Sequence, residues 1–174
     1  VRTKLHTFDA ENDNPFTKGR DLNAALGLDG KIGLSSDFTM DFTLNPDFGQ
    51  VEADPSNLNL SAFETFFSEK RPFFLEGKNI MDFELGGSDL FYSRRIGAGP
   101  AYSPETEDND YLDMPQNTSI LGAVKMTGKS RNGLSVGIME SVTGREEAQL
   151  GSKTDKKNIT VAPLTNYLAT RAQK

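Results

Sequence analysis

Apolar and polar residues alternate along residues 32–44 regularly enough to predict a β-strand with one apolar face. The even positions are apolar except for Ser36, namely Ile32, Leu34, Phe38, Met40, Phe42 and Leu44. Successive side chains of a pleated strand point to opposite faces, so these groups share one side. The 13 residues exceed the usual strand length of about 5–6. They meet the roughly 9–11 residues that a tilted membrane-spanning strand requires.

Two further alternating segments, residues 120–129 and 134–143, flank the dipeptide Asn132-Gly133. Asn-Gly is a strong signal for the tight turn of a β-hairpin. Another strand is expected within residues 159–172. Long strands with a tight turn at one end and long polar connections at the other predict a mainly β fold, an antiparallel up-and-down meander that suits a barrel. Periodicity alone fits a soluble sandwich nearly as well.

Residues 45–89 predict an inserted segment that leaves the sheet and packs back against it as a plug. Pro46 ends the alternating strand because proline cannot donate a hydrogen bond to the sheet. The segment is then rich in Phe and in paired charges, a composition that suits a compact, partly buried element. Residues 97–117, rich in Gly, Pro and acidic side chains, predict a long solvated loop.

Three short elements are expected inside this region. Ser61 and Glu64 form a capping-box pattern, which predicts a short helix at residues 62–67. That helix should stop before Pro72, because the residue preceding proline avoids the helical conformation. Residues 73–77 and 90–96 are then expected to be short strands.

Composition narrows the classes of function. The 174 residues suit one domain, residues 1–174, and the formal charge of −6 argues against a nucleic-acid partner. The absence of Cys excludes disulfides, thiolate metal sites and a Cys nucleophile. No run of 18 apolar residues predicts a transmembrane helix, which leaves transmembrane strands open. Because the chain begins and ends within patterned segments, we expect a processed or partial chain.

Four segments resemble one uncharacterised family over nearly the whole chain. They are NPDFGQVEADP (45–55), NLSAFETFF (59–67), EKRPFFLEG (69–77) and LFYSRRIG (90–97). The family is a domain of unknown function that follows a family-9-like carbohydrate-binding domain in large envelope proteins of Bacteroidota, Gemmatimonadota and related bacteria. The resemblance implies an outer-membrane β-barrel whose first strands flank an inserted segment, with carbohydrate as a possible partner.

This sequence departs from that pattern in several respects. The carbohydrate-binding domain is missing upstream, most barrel strands are missing downstream, and there is no Trp. About five to seven candidate strands are too few to close a barrel, for which roughly eight are needed. We therefore expect the remaining strands to come from the same protein or from partner subunits, around a fragment that contacts membrane lipid in the outer membrane or cell envelope.

Two sets of charged residues are candidates for chemistry. Asp47, Glu52 and Asp54 could perform acid–base catalysis as clustered carboxylates; the alternative is that they cap the turns around Pro46 and Pro55. Arg71, Glu76, Arg94 and Arg95 could bind a ligand in a charge network; the alternative is a set of salt bridges that hold the insertion to the barrel wall. His6 is the only His. We expect no metal site and no cofactor.

Three functions follow from these observations. The first is a non-enzymatic envelope component, part of an outer-membrane barrel used in transport or in handling carbohydrate or another surface polymer. The second is a hydrolase that acts on a surface polymer through Asp47, Glu52 or Asp54. The third is a β-rich accessory subunit that docks into a larger membrane assembly and borrows strands from it.

Overall fold

The structure, a computed structural model, describes residues 2–7, 14–16, 20–46, 66–82, 84–85, 88–107, 110–152 and 155–174. Side chains are described in the same ranges except 2–7, 20–25, 84–85 and 88–89. Within these residues the strands are β1 (Arg2–Thr7), β2 (Arg20–Ala25), β3 (Leu28–Gly33), β4 (Phe38–Leu44), β5 (Glu84–Leu85), β6 (Ser88–Asp89), β7 (Tyr111–Asp113), β8 (Ile120–Lys129), β9 (Ser135–Thr143), β10 (Glu146–Gly151), β11 (Lys156–Ala162) and β12 (Thr165–Gln173). The helices are α1 (Pro72–Leu75), α2 (Lys78–Met81) and a 3₁₀ turn (Ser93–Arg95).

The largest unit, called the main sheet below, has five antiparallel strands in the order β12-β9-β8-β4-β3. Its strands follow one another up and down, as the sequence predicts. Short connections, residues 34–37 and 130–134, join strands at one end of the sheet. Long connections, residues 45–119 and 144–164, leave from the other end. The mainly β, antiparallel prediction is therefore confirmed.

The predicted 13-residue strand at 32–44 is wrong, because the chain turns back on itself in its middle. Residues 34–37 form a tight turn in which the backbone N–H groups of Leu34 and Ser35 both donate to the carbonyl of Phe38, at 2.9 and 3.2 Å. The Ser35 hydroxyl also accepts from the Asp37 backbone N–H. Hydroxyl and carboxylate side chains that bond nearby backbone groups favour such turns. Apolar residues stay at even positions on both sides of the turn, so the pattern alone does not reveal the turn.

The hairpin predicted around Asn132-Gly133 is confirmed. Strands β8 and β9 pair from Ile120 to Lys129 and from Ser135 to Thr143, with one irregularity near Ile120. Gly133 has a φ of +84°, a conformation that glycine adopts without steric cost. At ten and nine residues, these strands are longer than the usual five or six.

Two regions predicted as connections contain strands. Within the predicted acidic loop at 97–117, Tyr111–Asp113 forms β7, which pairs with β10. β10 itself lies in the polar connection after β9 and also pairs with β11. β7 is only three residues long, which is too short for an alternating pattern to be recognised in the sequence. β1 and β2 form a separate two-stranded sheet, as do β5 and β6.

The segment between β4 and β8, called the insert below, contains both short helices. Residues 72–75 are helical, which corrects the strand predicted at 73–77. Pro72 is the reason, since proline is favoured in the first turn of a helix, where its missing N–H is not needed. Residues 90–96 contain a 3₁₀ turn in place of the predicted strand. Of the helix predicted at 62–67, residues 62–65 lie outside the described residues, and Phe66 and Phe67 are not helical.

The hydrophobic core lies between the insert and one face of the main sheet. Phe74, Met81 and Ile96 of the insert pack with Ile120 and Met139 of the sheet, each at most 6% exposed. Partly buried side chains extend this cluster, namely Phe73, Phe91, Tyr167 and Ala169. The predicted packing of the insertion against the sheet is therefore seen for its described part.

The main sheet has one face under the insert and one face without a described neighbour, called here the covered face and the open face. The open face carries apolar groups in register across the strands, including Leu28, Ile32, Phe38, Met40, Phe42, Leu44, Val124, Met126, Val136, Ile138, Val142 and Leu168. The covered face carries mostly polar groups, including Lys31, Asp41, Thr43, Lys125, Thr127, Ser141, Thr143 and Arg171.

On this sheet the polar face is buried and the apolar face is exposed, the inverse of the usual arrangement. Lys125, Thr43 and Ser141 on the covered face are at most 1% exposed, whereas Ile32 and Leu168 on the open face are 47% and 67% exposed. The described strands form an open sheet and close no barrel. No helix in the described part of the chain has the length and hydropathy to cross a membrane.

Candidate functional site

The carboxylates predicted as possible catalysts, Asp47, Glu52 and Asp54, lie outside the described residues. The His6 side chain does as well. Their proposed roles stay predictions. The candidate site that the structure does describe is the layer of charged side chains between the insert and the covered face.

Glu69 and Arg71 form a buried, bidentate ion pair at the start of α1. Arg71 Nε donates to Glu69 Oε1 at 2.8 Å, and Arg71 Nη2 donates to Glu69 Oε2 at 2.7 Å. The two side chains are 3% and 9% exposed. The guanidinium also lies over the ring of Phe74, 4.1 Å from its centroid. Two residues separated by one Lys thus form a compact unit because Pro72 fixes the backbone just after them.

This pair joins two segments of the insert, residues 69–77 and 90–97. Arg71 donates to the carbonyl oxygens of Ile96 and Ser93, at 2.6 and 2.8 Å. The Ser93 hydroxyl donates to Glu69 Oε2 at 2.5 Å. Burial, the largest influence, raises the pKa of Glu69, but the hydrogen bonds from Arg71 and Ser93 and the charge of Arg71 outweigh it. The pKa of Glu69 therefore lies below its ordinary value.

The predicted ligand-binding residues do not form one cluster. Arg71 forms an ion pair with Glu69, which is also in the insert, so salt bridges from Arg71 to a barrel wall stay a prediction. Arg94 is half-buried in the 3₁₀ turn, where burial lowers the pKa of its guanidinium. Arg95 is exposed, 5.9 Å from the ring centroid of Tyr92. Glu76 lies elsewhere, against the edge of the main sheet, and ligand binding by any of the four stays a prediction.

Glu76 meets a row of charges that crosses three strands of the covered face. Lys31, Asp41 and Lys125 are register partners on β3, β4 and β8. Lys31 Nζ lies 2.5 Å from Glu76 Oε2 and 3.4 Å from Asp41 Oδ1. The hydrogen bond between Lys31 and Glu76 is the largest influence on both groups, raising the pKa of Lys31 and lowering that of Glu76.

Lys125 is a buried charged residue of the layer that the sequence does not single out. It is 1% exposed, and its ammonium donates to the backbone carbonyl oxygens of Phe73 and Glu76. These carbonyls belong to the C-terminal end of α1, where the helix presents partial negative charge. The ammonium also lies 4.7 Å from the ring centroid of Phe73. Burial lowers the pKa of Lys125, and the charges of Asp41 and Glu76 compensate only in part.

Arg171 on β12 binds backbone carbonyl groups of α2, as Lys125 binds those of α1. Its Nη1 donates to the carbonyl oxygens of Asn79, Ile80 and Asp82, at 3.3, 2.9 and 2.7 Å. Two cations of the covered face therefore bind the C-terminal carbonyls of the two helices of the insert. A possible signal in the sequence is that both cations occupy polar positions of alternating strands, which is equally typical of solvent-facing residues.

A cavity of about 250 Å³ lies beside the ion pair, between the insert and the sheet. Among the described residues, its lining combines the aromatic side chains of Phe66, Phe67, Phe74, Phe91 and Tyr92 with the charged side chains of Glu69, Lys78, Asp82 and Lys125. Phe66 and Tyr92 pack edge to face, with ring centroids 4.9 Å apart. Among the described residues, no group of three or more His, Asp or Glu side chains is placed to hold a metal ion.

The model of one protein family, described as a domain of unknown function (DUF5916), matches residues 1–170. The match spans the insert and the main sheet except for the last three residues of β12. No curated protein and no solved structure matches the chain.

Proposed function

This chain belongs to the DUF5916 family, and we propose that it forms part of the wall of an outer-membrane β-barrel. In this proposal the open face of the main sheet contacts lipid and the insert fills the lumen as a plug. The protein is a non-enzymatic component of the cell envelope, used in transport or in handling carbohydrate or another polymer at the cell surface. The observation that carries the proposal is the inverted burial of the main sheet.

In a soluble protein, a sheet with one apolar face packs that face against the core and turns its polar face to water. Here Ile138 and Leu168 of the apolar face are 39% and 67% exposed, while the polar side chain of Thr43 is fully buried. Exposed apolar surface that extends over several strands marks a site of contact with a membrane or another protein. A lipid-facing exterior and a polar interior are the pattern of membrane barrels.

Strand lengths and connections fit the same proposal. Strands β8, β9 and β12 have ten, nine and nine residues, close to the roughly 9–11 needed to cross a bilayer at a tilt. Short turns at one end of the sheet and long connections at the other are typical of outer-membrane barrels. A barrel needs about eight strands, so further strands, from the same protein or from partner subunits, would pair with β3 and β12.

One charged side chain, Glu140, stands on the open face among the described residues of the five strands. Its Oε1 accepts a hydrogen bond from Asn166 Nδ2 at 2.9 Å. Both residues lie toward the end of the sheet from which the long connections leave. In a membrane this end would face the headgroup region, where a paired polar group costs much less than at the bilayer centre.

The test measures the accessibility of single introduced cysteines to thiol reagents. Because the sequence contains no Cys, no other thiol in this chain reacts. Ile138→Cys places a thiol on the open face, and Asn132→Cys places one in the exposed turn of the same hairpin. In isolated membranes, Ile138→Cys should react with a lipid-soluble maleimide and resist a charged one. Asn132→Cys should react with the charged reagent. Equal reaction of both variants with the charged reagent would overturn the proposal.

The same experiment separates the accessory-subunit alternative. If a partner protein covers the open face, Ile138→Cys should resist both reagents until the partner is removed. The hydrolase alternative rests on Asp47, Glu52 and Asp54, which lie outside the described residues. No observation on the described residues favours it.

A further inference from the structure

A second cavity, of about 460 Å³, opens at the edge of the main sheet between β3, β4 and helix α1. Among the described residues, the carboxylates of Asp29, Asp41 and Glu76 line it, together with the ammonium of Lys31 and the ring of Phe73. The Asp29 carboxylate is already engaged, since its Oδ1 accepts from the Thr43 hydroxyl at 2.5 Å. The carboxylates of Asp41 and Glu76 both form ion pairs with the Lys31 ammonium.

Asp41 is the unusual group in this cavity. Its side chain is 8% exposed, and its Oδ1 accepts no hydrogen bond. Lys31 Nζ lies 3.4 Å away, within ion-pair distance of this oxygen. A buried carboxylate oxygen without a donor is costly, and in native proteins it indicates a missing hydrogen-bonding partner. The oxygen therefore has capacity to accept from a group that enters the cavity.

Lys31 is poorly fixed compared with the other cation of the row. Its side chain is 54% exposed and reaches the cavity from the edge strand β3, and Glu76, its closest partner, is 50% exposed. Lys125, by contrast, is buried and bound to two backbone carbonyls. Exposed ion pairs of flexible side chains contribute little to stability. Lys31 can therefore leave Asp41 and Glu76 at small cost, whereas Lys125 cannot.

We propose that Asp41 and Glu76 form a binding site for the cationic end of a ligand, an alkylammonium or guanidinium group, which Lys31 occupies as an intramolecular competitor. The entering cation takes over the charge balance that Lys31 provides and donates a hydrogen bond to Asp41 Oδ1. Phe73 offers an apolar wall for the alkyl chain beside the cation. The site discriminates against neutral and anionic ligands because two carboxylates face the position of the charged group.

This site goes beyond the proposed function and does not depend on it. The cavity lies where the insert meets strands β3 and β4, and the two carboxylates of the proposed site belong to the covered face and to the insert. Binding can therefore be measured on the purified full chain, with or without detergent, and its outcome is separate from the cysteine-labelling result.

The experiment is a calorimetric titration with pentylammonium and pentylguanidinium, at matched ionic strength, with 1-pentanol as the neutral control. Lys31→Met removes the competitor and should bind either cation at least about tenfold more tightly than wild type. Asp41→Asn in the Lys31→Met background should lose this gain. Lys78→Met removes another half-exposed Lys, one paired with Asp82 outside this cavity, and should bind as wild type does.

Three results would overturn the site. One is an affinity of Lys31→Met no higher than that of wild type, and another is unchanged binding after Asp41→Asn. The third is the absence of binding in every variant, which would mean that water satisfies the Asp41 oxygen. If Asp41→Asn does not fold, judged by circular dichroism, Glu76→Gln in the Lys31→Met background decides, because the half-exposed Glu76 tolerates a neutral amide.

Discussion

Met81 of helix α2 lies directly over Gly137 of strand β9, so close that a methyl group added at Gly137 would collide with the Met81 sulfur. The side chain of Ile80 lies within 3.2 Å of the same point. The insert therefore touches the backbone of the main sheet, and glycine is the residue that allows this approach.

Gly137→Val should displace α2 and lower the free energy of unfolding by roughly 1–3 kcal/mol, the usual cost of overpacking. The matched control is Gly33→Val on β3, where an added side chain meets no atom within 4 Å. Chemical denaturation of both variants under identical conditions measures the difference. Equal stability of the two would show that the insert does not rest on β9.

Arg71→Met should lower the free energy of unfolding by roughly 3–5 kcal/mol, because it leaves the buried carboxylate of Glu69 without its cation. Replacing both residues by apolar ones should cost less than Arg71→Met alone, since no charge then remains buried. The control is Lys78→Met, which removes an exposed pair with Asp82 and should change stability by less than about 1 kcal/mol. A loss for Arg71→Met as small as that of the control would contradict the buried network.

Acid should destabilise the protein through Glu69. Its pKa is below the ordinary value of 4.5 in the folded protein, so its contribution to stability is present above about pH 4.5 and is lost as pH falls through the folded pKa. Between about pH 6 and 3, the stability of wild type should fall more steeply than that of Glu69→Gln. Denaturation midpoints measured across this range would test it, and parallel curves would show that Glu69 does not titrate differently on folding.

Lys125 should have the opposite signature at alkaline pH. Burial lowers its pKa in the folded protein below the ordinary 10.5, so the unfolded chain binds the proton more tightly than the native state does. The stability of wild type should therefore rise relative to that of Lys125→Met as pH increases toward 10.5. Urea denaturation of the two proteins between about pH 8 and 10 measures this difference, which would be flat if Lys125 were solvated.

The short-range features of the fold were predictable, because they depend on neighbours in the sequence. Asn132-Gly133 with alternating flanks predicts the β8–β9 hairpin, and the structure has it with Gly133 at positive φ. The insertion after Pro46 and its packing on the sheet were also expected. The turn at residues 34–37 was missed, although Ser35 and Asp37 are turn-forming residues. The reason is that apolar residues occupy even positions both before and after the turn.

The charged layer was predictable only in part. The sequence singled out Arg71 and Glu76, yet it gave no reason to separate Arg71, which binds Glu69 and Ser93, from Glu76, which meets Lys31. It also missed Lys125 and Arg171, which bind the helix ends. A cation at a polar strand position has the same pattern whether it faces water or a backbone carbonyl 49 residues away.

The sequence by itself determined that the chain forms long antiparallel strands with one apolar and one polar face, because the period of two is a property of each strand alone. It could not determine which face would be buried. The insert decided this, because its backbone carbonyl groups bind Lys125 and Arg171 on the polar face of the sheet. Burial depends on which distant segment packs against a face, so only the tertiary structure reveals that Leu168 is exposed and Lys125 is not.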